Sequence, residues 1–471
     1  MLSSRKWPFI FILFAGLMCA TLALAALGRR PVSAGGEGSI AYVRPNDTSG
    51  DEIRFIEPDG SGDRLIWSTG KADPFAVDAI TSLAWRPDAT ELAFASDHEK
   101  DCSILRSDIY GVYPDGSDHR RITNAPTCEE LAAYPKGTVV VEVENQTGGS
   151  GPFFIYVQGA PGLQFISVAP GAVTTVTVHD VADLGQGLLQ FSAVTDANRR
   201  WWGAPVDVQA GATVEAPRLV LGEGLLEFGA DWPTWRSDGS RIGYVVGLGT
   251  PYHIEANPGL LELGDPLLDG QSSALFVDLL TWSPAAANAN QLLYGGSGFA
   301  VDLSEVGVFR IYEGSPDPGE VLVSPSEVWH TVTGLAWLPD GSGFIFAMSE
   351  DTFIGEKADI FEYSFSTGQA TRLTDFSTEF AYQLSVSPDG QRIVFERVTE
   401  LLVWEDPQVD LWIMNRDGSG QRLLVENGRA PAWSPGEIQS PPSPTPTPTP
   451  TQPPPPPGLD ARNYLPFVSG N

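Results

Sequence analysis

The chain is poor in the residues that carry most enzyme chemistry. Its 471 residues include only three cysteines and five histidines, and no Cys/His spacing matches a zinc site. It contains no GxSxG nucleophile elbow, no glycine-rich phosphate loop and no HExxH helix. The histidines are scattered over the sequence: His98, His119, His179, His253 and His330. The sequence therefore favours a non-enzymatic protein, and we predict no catalytic residue, no cofactor and no metal.

Positive charge is also scarce. Four of the 28 basic residues fall in the first 34 positions, which leaves 24 basic against 59 acidic residues and a net charge of −35 in the remainder. Such a body repels nucleic acid and anionic membrane surfaces. The acidic surplus is typical of a protein that stays soluble outside the cell. We expect no nucleic-acid partner, and we expect a monomer.

Helical periodicity is missing after residue 30. Short runs of Val, Ile, Phe, Tyr and Trp take its place, and they are separated by many of the 50 glycines and 39 prolines. Apolar runs of this length between Gly and Pro turns are typical of an all-β protein.

One phrase keeps returning: an apolar strand that usually ends in Trp, a turn similar to Pro-Asp-Gly, and a second apolar strand. The full phrase begins at Thr81, Pro233, Leu279, Gly334 and Gln383. A fragment, APAWSPG, begins at Ala430 and stops before a second strand. Self-similarity with a period of about 50 residues predicts a repeat architecture.

Each full unit continues with a third strand, a tight turn and a fourth strand, as in HTVTGLAW, FIFAMS, DIFEYSF and QATRLT of the fifth unit. In the third and weakest unit we predict YHIEA and LLELG as the last two strands. The chain opens with three strands, SIAYV, EIRFIE and DRLIW, and closes with one inner strand. Pairing the two ends completes a blade without a free edge, so the sequence predicts a six-bladed β-propeller in which Trp433 lies beside Ile40.

The motif WxPDGxxIxF followed by DIYxxxxDGxxxxxLT resembles the repeat of the TolB-like six-bladed propellers, also called WD40-like or PD40 repeats. The resemblance covers 38–135, which would form blades one and two, and 223–436, which would form blades three to six and the closing strand. It implies a fold but not an activity, because propellers host many functions. Some propellers of this kind are oligogalacturonide lyases that use histidine and a metal over the channel, and the resemblance places His98 and His330 on that side.

The strand order predicts two unlike faces. Connections between first and second strands, and between third and fourth, are short turns, whereas the others are long and define what we call the long-loop face. Long loops on a rigid scaffold are common recognition sites. The candidate ligand-binding residues on this face are Asp97, Glu99, Asp101, Trp329, His330, Glu350, Asp351, Trp404, Glu405 and Asp406. Cys102 and Cys128 also belong to it, and in an oxidising compartment they predict one disulfide.

Residues 136–222 leave the repeat pattern. About seven short alternating strands separated by Gly and Pro predict an inserted β-sandwich of the immunoglobulin-like kind. Its conspicuous stretch is Arg199-Arg200-Trp201-Trp202. Since adjacent strand residues point to opposite faces, we expect one Trp in a core and the other outside, packed on a neighbour or stacked on a sugar or peptide.

The two ends of the chain predict export and a stalk. Residues 1–34 combine cations, an apolar run and small residues, which fits a cleaved signal peptide or an uncleaved membrane anchor, with cleavage favoured. Residues 437–458 form a Pro/Thr-rich linker that favours extended polyproline II. The tail at 459–471 contains YLPFV, which fits either a surface-retention tag or a frayed end.

Together these features predict an exported, secreted or cell-surface protein that acts as a non-catalytic binding or scaffold module. We expect its partner to be a protein, a peptide or a glycan recognised on the acidic long-loop face. The alternative is a carbohydrate-binding or lyase-like propeller that uses the channel mouth. Histidine and acidic side chains converging at that mouth would distinguish the second function from the first.

Overall fold

The computed structural model describes most of the chain between residues 38 and 440. The described ranges are 38–46, 49–70, 79–100, 103, 105–157, 164–185, 191–195, 199–204, 206–222, 225–226, 229–246, 249–260, 262–267, 275–298, 306–315, 319–324, 331–349, 357–399 and 408–440. The predicted leader (1–34) and tail (459–471) lie outside these residues, and so does the predicted linker (437–458) from residue 441 onward. Within the described part, no helix combines the length and apolar character needed to cross a bilayer.

The strands outside the insertion form six four-stranded antiparallel units, which we number as blades in chain order. Blade one consists of β1 (Ile40–Arg44), β2 (Glu52–Ile56), β3 (Arg64–Ser68) and the closing strand β33 (Arg429–Trp433). Blade two consists of β4 (Ile80–Trp85), β5 (Leu92–Ser96), β6 (Asp108–Val112) and β7 (Arg120–Arg121). Blade three consists of β17 (Ala230–Trp235), β18 (Arg241–Val246), β19 (Thr250–Glu255) and β20 (Asp265–Pro266).

The remaining three blades follow without interruption. Blade four consists of β21 (Leu275–Trp282), β22 (Gln291–Gly298), β23 (Val306–Tyr312) and β24 (Glu320–Val323), with a 3-10 turn at Ala286–Asn288. Blade five consists of β25 (Val332–Trp337), β26 (Gly343–Ser349), β27 (Ala358–Ser364) and β28 (Gln369–Arg372). Blade six consists of β29 (Phe380–Val386), β30 (Arg392–Val398), β31 (Val409–Asn415) and β32 (Arg422–Val425). One parallel pairing, Ala358 with Phe380, joins the last two blades into a continuous sheet.

The two ends of the propeller meet in blade one. Strand β33 pairs antiparallel with β1, so that Ile40 lies opposite Trp433 and Ala41 lies opposite Ala432. The inner strands contact one another in the cyclic order β33, β4, β17, β21, β25, β29 and back to β33. The prediction of circular closure is confirmed, and the molecule is an all-β propeller.

In three blades, the tryptophan at the end of the repeated strand joins neighbouring blades. Trp85 Nε1 donates to the carbonyl of Ala432 at 3.0 Å, and Trp235 Nε1 donates to that of Ala84 at 3.2 Å. Trp337 Nε1 donates to the carbonyl of Thr281 at 3.1 Å. A ring buried between two sheets needs a partner for its N–H, and the adjacent inner strand supplies one. This contact explains why the repeated phrase contains Trp.

The Asp of the Pro-Asp-Gly turns accepts a hydrogen bond from the backbone of its own turn. In blade five, Asp340 Oδ1 accepts from Ser342 N at 2.9 Å, and Gly341 takes a positive φ of 71°. The same Asp-to-backbone bond occurs at Asp59 and Asp417, in the stretches EPDGSGD and NRDGSG that look like calcium loops. A carboxylate that accepts from the backbone two residues later nucleates the turn, which is the structural role of this part of the motif.

The second half of the motif, DI…LT, is a buried contact between the third and fourth strands. Asp359 Oδ1 accepts from Thr374 Oγ1 at 2.7 Å and from Phe376 N at 2.9 Å. Thr374 Oγ1 in turn accepts from Ile360 N at 2.9 Å. In blade two, Thr123 Oγ1 likewise donates to Asp108 at 2.7 Å. The contact fixes the end of each short outer strand.

Removing one hydroxyl from this contact tests its contribution. Thr374→Val is expected to lower the free energy of unfolding by about 1–2 kcal/mol, because Ile360 N and the Asp359 carboxylate each lose a buried partner. Thr371→Val, on the exposed surface of β28, is the matched control and should change it by less than about 0.5 kcal/mol. Chemical denaturation of both variants measures the difference, and equal stabilities would show that the contact contributes nothing.

Blade three departs from its predicted strands. Its fourth strand is Asp265–Pro266, not the predicted LLELG, because Gly264 turns the chain with a positive φ of 78° just before it. The carbonyl of Glu262, inside the predicted strand, accepts a hydrogen bond from Asn124 N at 2.8 Å. This bond connects blade three to the end of blade two. The prediction of LLELG as a strand was therefore wrong.

The insertion folds as two sheets around one apolar core. It begins with a short helix, α1 (Cys128–Leu131), and its strands are β8 (Lys136–Asn145), β9 (Phe153–Val157), β10 (Gln164–Ile166), β11 (Val173–Ala182), β12 (Phe191–Thr195), β13 (Arg199–Trp202), β14 (Thr213–Glu215), β15 (Leu219–Leu221) and β16 (Leu225–Leu226). One sheet has the order β10-β9-β12-β13-β16, and the other has β11-β8-β14 with β15 also on β8. Both β14 and β15 run parallel to β8, and β16 lies beyond residue 222, two features that the sequence did not predict.

Trp201 belongs to the core of this insertion. Its side chain is buried, lies edge-on to Phe153, and donates from Nε1 to the carbonyl of Gly222 at 3.0 Å. The side chain of Trp202 lies outside the described residues, so its outward placement stays a prediction.

Candidate functional site

Every inner strand carries a β-bulge near its long-loop end. The register slips once in each pairing with the second strand, next to Thr81, Trp232, Asp278, Thr333, Gln383 and Ala430. A bulge leaves one residue unpaired and re-aims its side chain. Six bulges at one height therefore form a ring of irregular backbone around the axis of the propeller.

Polar side chains at this height connect blades across the axis. Gln383 Nε2 donates to the carbonyl of Thr81 at 2.7 Å, although blade one lies between their two blades. Thr81 Oγ1 donates to Asp231 at 2.7 Å, and Thr333 Oγ1 donates to the carbonyl of Ala381 at 2.7 Å. We call Thr81, Asp231, Asp278, Thr333 and Gln383 the channel belt.

The belt contains two carboxylates in different settings. Asp231 is half-buried and bonded to Thr81, and burial raises its pKa despite that hydrogen bond. Asp278 is exposed and stands at the bulge of the innermost strand of its blade, near the long-loop end. The surrounding strands displace much of the bulk water, and this burial raises the pKa of Asp278. Asp278 therefore offers an accessible acceptor at the level of the belt.

Charged groups near the belt in blades one and six form contacts that hold the closing strand β33. Arg429 pairs with Asp51, and Asp51 also accepts from Ile80 N at 2.7 Å. Glu396, buried in blade six, accepts from Ala430 N at 2.5 Å. Burial raises the pKa of Glu396 to about 7, against the smaller opposing effects of that hydrogen bond and of Arg429. These groups hold backbone in place and are not free to bind a ligand.

Beyond the belt, a cavity of about 390 Å³ follows the axis toward the short-turn face. All six inner strands contribute to it, from Ser82, Trp232 and Gln383 at the belt to the prolines of the short turns. Those prolines are Pro87, Pro284, Pro339, Pro388 and Pro435. Leucine, alanine, tryptophan and hydroxyl side chains line the rest, and no charged residue is among its described lining residues. The channel is thus acidic at the belt and uncharged beneath it.

Two of the predicted ligand-binding residues have structural roles. Asp97 Oδ1 accepts from Ala79 N at 2.9 Å and is buried. Glu99 Oε1 accepts from Cys128 N at 3.2 Å, and its other oxygen lies 3.6 Å from Arg121 Nη1. Burial raises the pKa of both carboxyl groups. Both hold the backbone around the entrance to the insertion.

The other candidate residues fall outside the described part of the chain. They are Asp101, Trp329, His330, Glu350, Asp351, Trp404, Glu405 and Asp406, and their binding role stays a prediction. Cys128 forms a disulfide, while Cys102, its predicted partner, also lies outside the described residues. Among the described residues, no group of three or more His, Cys, Asp or Glu side chains is placed to hold a metal ion.

The belt itself was missed by sequence reasoning, although a signal for it exists. Four of the five belt residues lie four positions before the repeated Trp: Thr81, Asp231, Asp278 and Thr333. An inner strand packed on both sides is expected to be apolar throughout. A polar residue at the same place in four such strands therefore marks the level of the belt.

Comparison with known proteins adds solved structures of low similarity. No family model matches the chain, and no curated protein matches it. An oligogalacturonate lyase in complex with manganese is 10% identical, over 83% of this chain and 86% of that one, with a TM-score of 0.34. A protein assigned as TolB from Agrobacterium tumefaciens is 13% identical, over 83% and 91%, with a TM-score of 0.27. The β-propeller domain of Cps50 (Swd1) from Myceliophteria thermophila is 10% identical, over 76% and 90%, with a TM-score of 0.34.

A protein assigned as TolB and a β-propeller domain are among the structures similar to this chain. The fold itself is established by the order of its own sheets and by the pairing of Ile40 with Trp433. The chain is an all-β propeller with a two-sheet insertion between its second and third blades.

Proposed function

We propose that this protein is an exported, non-catalytic binding module that receives its ligand at the long-loop end of the axial channel. The observation that carries the proposal is Asp278, a solvent-accessible carboxylate on an innermost strand above an uncharged cavity. Pockets of this size with a few placed polar groups are the usual binding sites of rigid scaffolds. The expected ligand is a peptide or glycan group that donates hydrogen bonds at the belt and extends a neutral portion into the cavity.

The chemistry of the belt favours binding over turnover. Asp231 and Asp51 are each engaged with neighbouring blades, and Glu396 is buried against the backbone of Ala430. A general acid or base must reach the atom whose proton it moves. Of these four carboxyl groups, only Asp278 is exposed. Within this set of described groups, one accessible carboxylate supports recognition of a hydrogen-bond donor.

Export is supported by three independent features. The first 34 residues have the composition of an export segment, and the remainder carries a net charge of −35. Cys128 forms a disulfide, and structural disulfides persist in oxidising compartments. We therefore place the propeller outside the cytoplasm, with a protein, peptide or glycan partner at the cell surface.

Replacing Asp278 tests the proposed site. Glycan and peptide arrays probed with the chain lacking residues 1–34 should identify a ligand, and titration calorimetry then measures its affinity. Asp278→Asn keeps the shape and removes the charge, and it should weaken binding about tenfold or more, because hydrogen bonds to charged groups contribute about 1.5–3 kcal/mol.

The matched control is Asp59→Asn, which removes the same charge in an exposed turn of the short-turn face and can still form the turn bond to Ser61 N. It should bind the ligand with unchanged affinity. Equal affinities of the Asp278 variant and the parent chain would contradict the channel as the site. Saturable turnover of a polysaccharide that disappears in His330→Ala would instead support the lyase-like alternative.

A further inference from the structure

Two histidines of blade two are enclosed by aromatic rings at its border with blade one. His119 stacks on Trp67 of β3, with ring centroids 4.5 Å apart and an interplanar angle of 16°. His98 lies 4.4 Å from the ring of Tyr110 and 5.1 Å from that of Trp67. The two imidazole centroids are 5.3 Å apart. Phe94 closes the enclosure, with its centroid 6.4 Å from His98 and 6.1 Å from His119.

Neither imidazole has a full set of hydrogen-bond partners. His98 Nδ1 lies 3.0 Å from Ser96 Oγ, but its Nε2 is buried without a partner. His119 Nε2 is also buried without a partner. A neutral imidazole needs one donor and one acceptor, whereas an imidazolium has two donors that must both be satisfied. The enclosure therefore accommodates neutral rings and offers no acceptor to a second N–H on either ring.

The charged groups around the pair come from four elements of the same region. Arg121 of β7 is fully buried and opposes protonation of both imidazoles, whereas Glu130 of α1 favours protonation of His119. Glu99 and Asp108 face Arg121 from the loop after β5 and from the start of β6. The contact with blade one is made by Trp67, which has no ionisable group.

The same residues attach the insertion to the propeller. Arg121 Nε donates to the carbonyl of Asn124 at 3.1 Å, and its Nη2 donates to that of Pro126 at 2.5 Å. Glu99, the neighbour of His98, accepts from Cys128 N at the start of α1. Leu131, at the other end of α1, is buried in the core of the insertion. The start of the insertion is thus held by a loop that carries His98 and by a strand, β7, that directly follows His119.

We propose that this junction is an acid-sensitive joint, in which protonation of His98 and His119 loosens the hold of Arg121 and Glu99 on the segment that leads into α1. Two new positive charges would lie in an apolar enclosure beside a guanidinium that is already buried. Like charges at this range repel strongly where water is excluded. Movement of Arg121 or of the loop at His98 relieves the repulsion, and either movement releases a backbone group at the entrance to the insertion.

The direction of the pH effect follows from linkage. Burial lowers the pKa of His98 well below its usual value, and burial lowers that of His119 to about 4. An open joint exposes both rings to water, where their pKa returns to about 6.5. The closed joint is therefore fully stable above that value and loses stability as the pH falls from about 6.5 toward 4. Burial raises the pKa of Glu99 and Asp108, whose titration acts in the opposite direction, so the histidine contribution must be isolated by mutation.

Hydrogen exchange of the full chain at pH 7.5 and pH 5 tests the joint. After correction for the intrinsic effect of pH, the amides of Leu131, Ala132 and Ala133, which bond within α1, should exchange about tenfold faster or more at pH 5. Strands β30 and β31 of blade six provide an internal reference that should keep its protection. The double variant His98→Phe/His119→Phe retains aromatic packing without a titratable ring, and it should lose most of the acceleration.

His179→Phe is the matched control, because His179 is exposed on the insertion and far in sequence from the joint. It should behave as the parent chain does, and the single variant His119→Phe should show an intermediate response if the double variant does not fold. Three results would each overturn the proposal: no acceleration in α1 at pH 5, the same acceleration in the histidine variants, or equal acceleration in blade six.

Discussion

Truncation of the chain after Gly428 is expected to abolish cooperative unfolding of the propeller. The deletion removes β33, which fills the inner position of blade one and pairs with β1. Without it, β1 presents an open edge at the centre of the ring, and blades two and six lose the strand that both contact. A chain truncated after residue 440 keeps β33 and should retain the parent transition.

The side chain of Trp433 allows a milder version of this test. It is 5% exposed, Arg392 lies over its ring at 5.1 Å, and its backbone N donates to Ser385 Oγ at 2.9 Å. Trp433→Ala should lower the free energy of unfolding by about 3–5 kcal/mol, as truncation of large buried aromatic residues generally does. Leu423→Ala, on the exposed side of β32, should stay within about 0.5 kcal/mol.

Circular dichroism and tryptophan fluorescence during urea denaturation distinguish the outcomes. A single sharp transition in the chain ending at Gly428, with an unchanged midpoint, would show that the ring does not depend on its closing strand. Loss of the two signals at different urea concentrations, over a broad range, would show that the remaining blades no longer unfold as one unit.

Closure could be predicted from the sequence because its determinants are local and repeated. Each strand pair is fixed by a turn a few residues away, as at Asp340 and Gly341, and such turns have recognisable sequences. Three strands at one end and one at the other then determine the pairing of Ile40 with Trp433. In blade three, the turn at Gly264 redirects the chain before the predicted strand can pair. The local sequence pattern therefore did not predict the fourth strand of that blade.

The candidate site was less predictable because it depends on pairing between strands. A bulge follows from the register of two chains, and no residue type is required at Thr81 or Gln383 to produce one. Two acidic residues of the long loops show how a neighbouring N–H can occupy a carboxylate. Asp97 and Glu99 are polar residues in a loop, but their carboxylates accept hydrogen bonds from the backbone N–H groups of Ala79 and Cys128. Loop position predicts exposure only when no nearby N–H competes for the side chain.

Replacing Glu396 by Gln is expected to make the protein more stable above pH 7 and to leave it nearly unchanged near pH 4. The pKa of Glu396 is about 7 in the folded chain, because burial raises it, and about 4.5 in the unfolded chain. The unfolded state thus releases its proton at a lower pH, so Glu396 contributes stability below about 4.5 that is lost as the pH rises through 7. The difference of about 2.5 units corresponds to a cost on the order of 3 kcal/mol at pH 8.

The amide of Gln can keep the contact that Glu396 makes, because its carbonyl oxygen can still accept from Ala430 N. Urea denaturation of Glu396→Gln at pH 4.5 and pH 8 should therefore show a gain that grows with pH, while Glu437→Gln, on the exposed end of the described chain, should show none. A gain of equal size at both pH values would indicate better packing instead of a removed charge. Lower stability at pH 8 would mean that the carboxylate is needed to hold the bulge at Ala430. Ala430 adopts a positive φ of 50° in the closing strand, which is unfavourable for a residue with a side chain. Lower stability of the variant would therefore show that Glu396 stabilises the conformation that closes the ring.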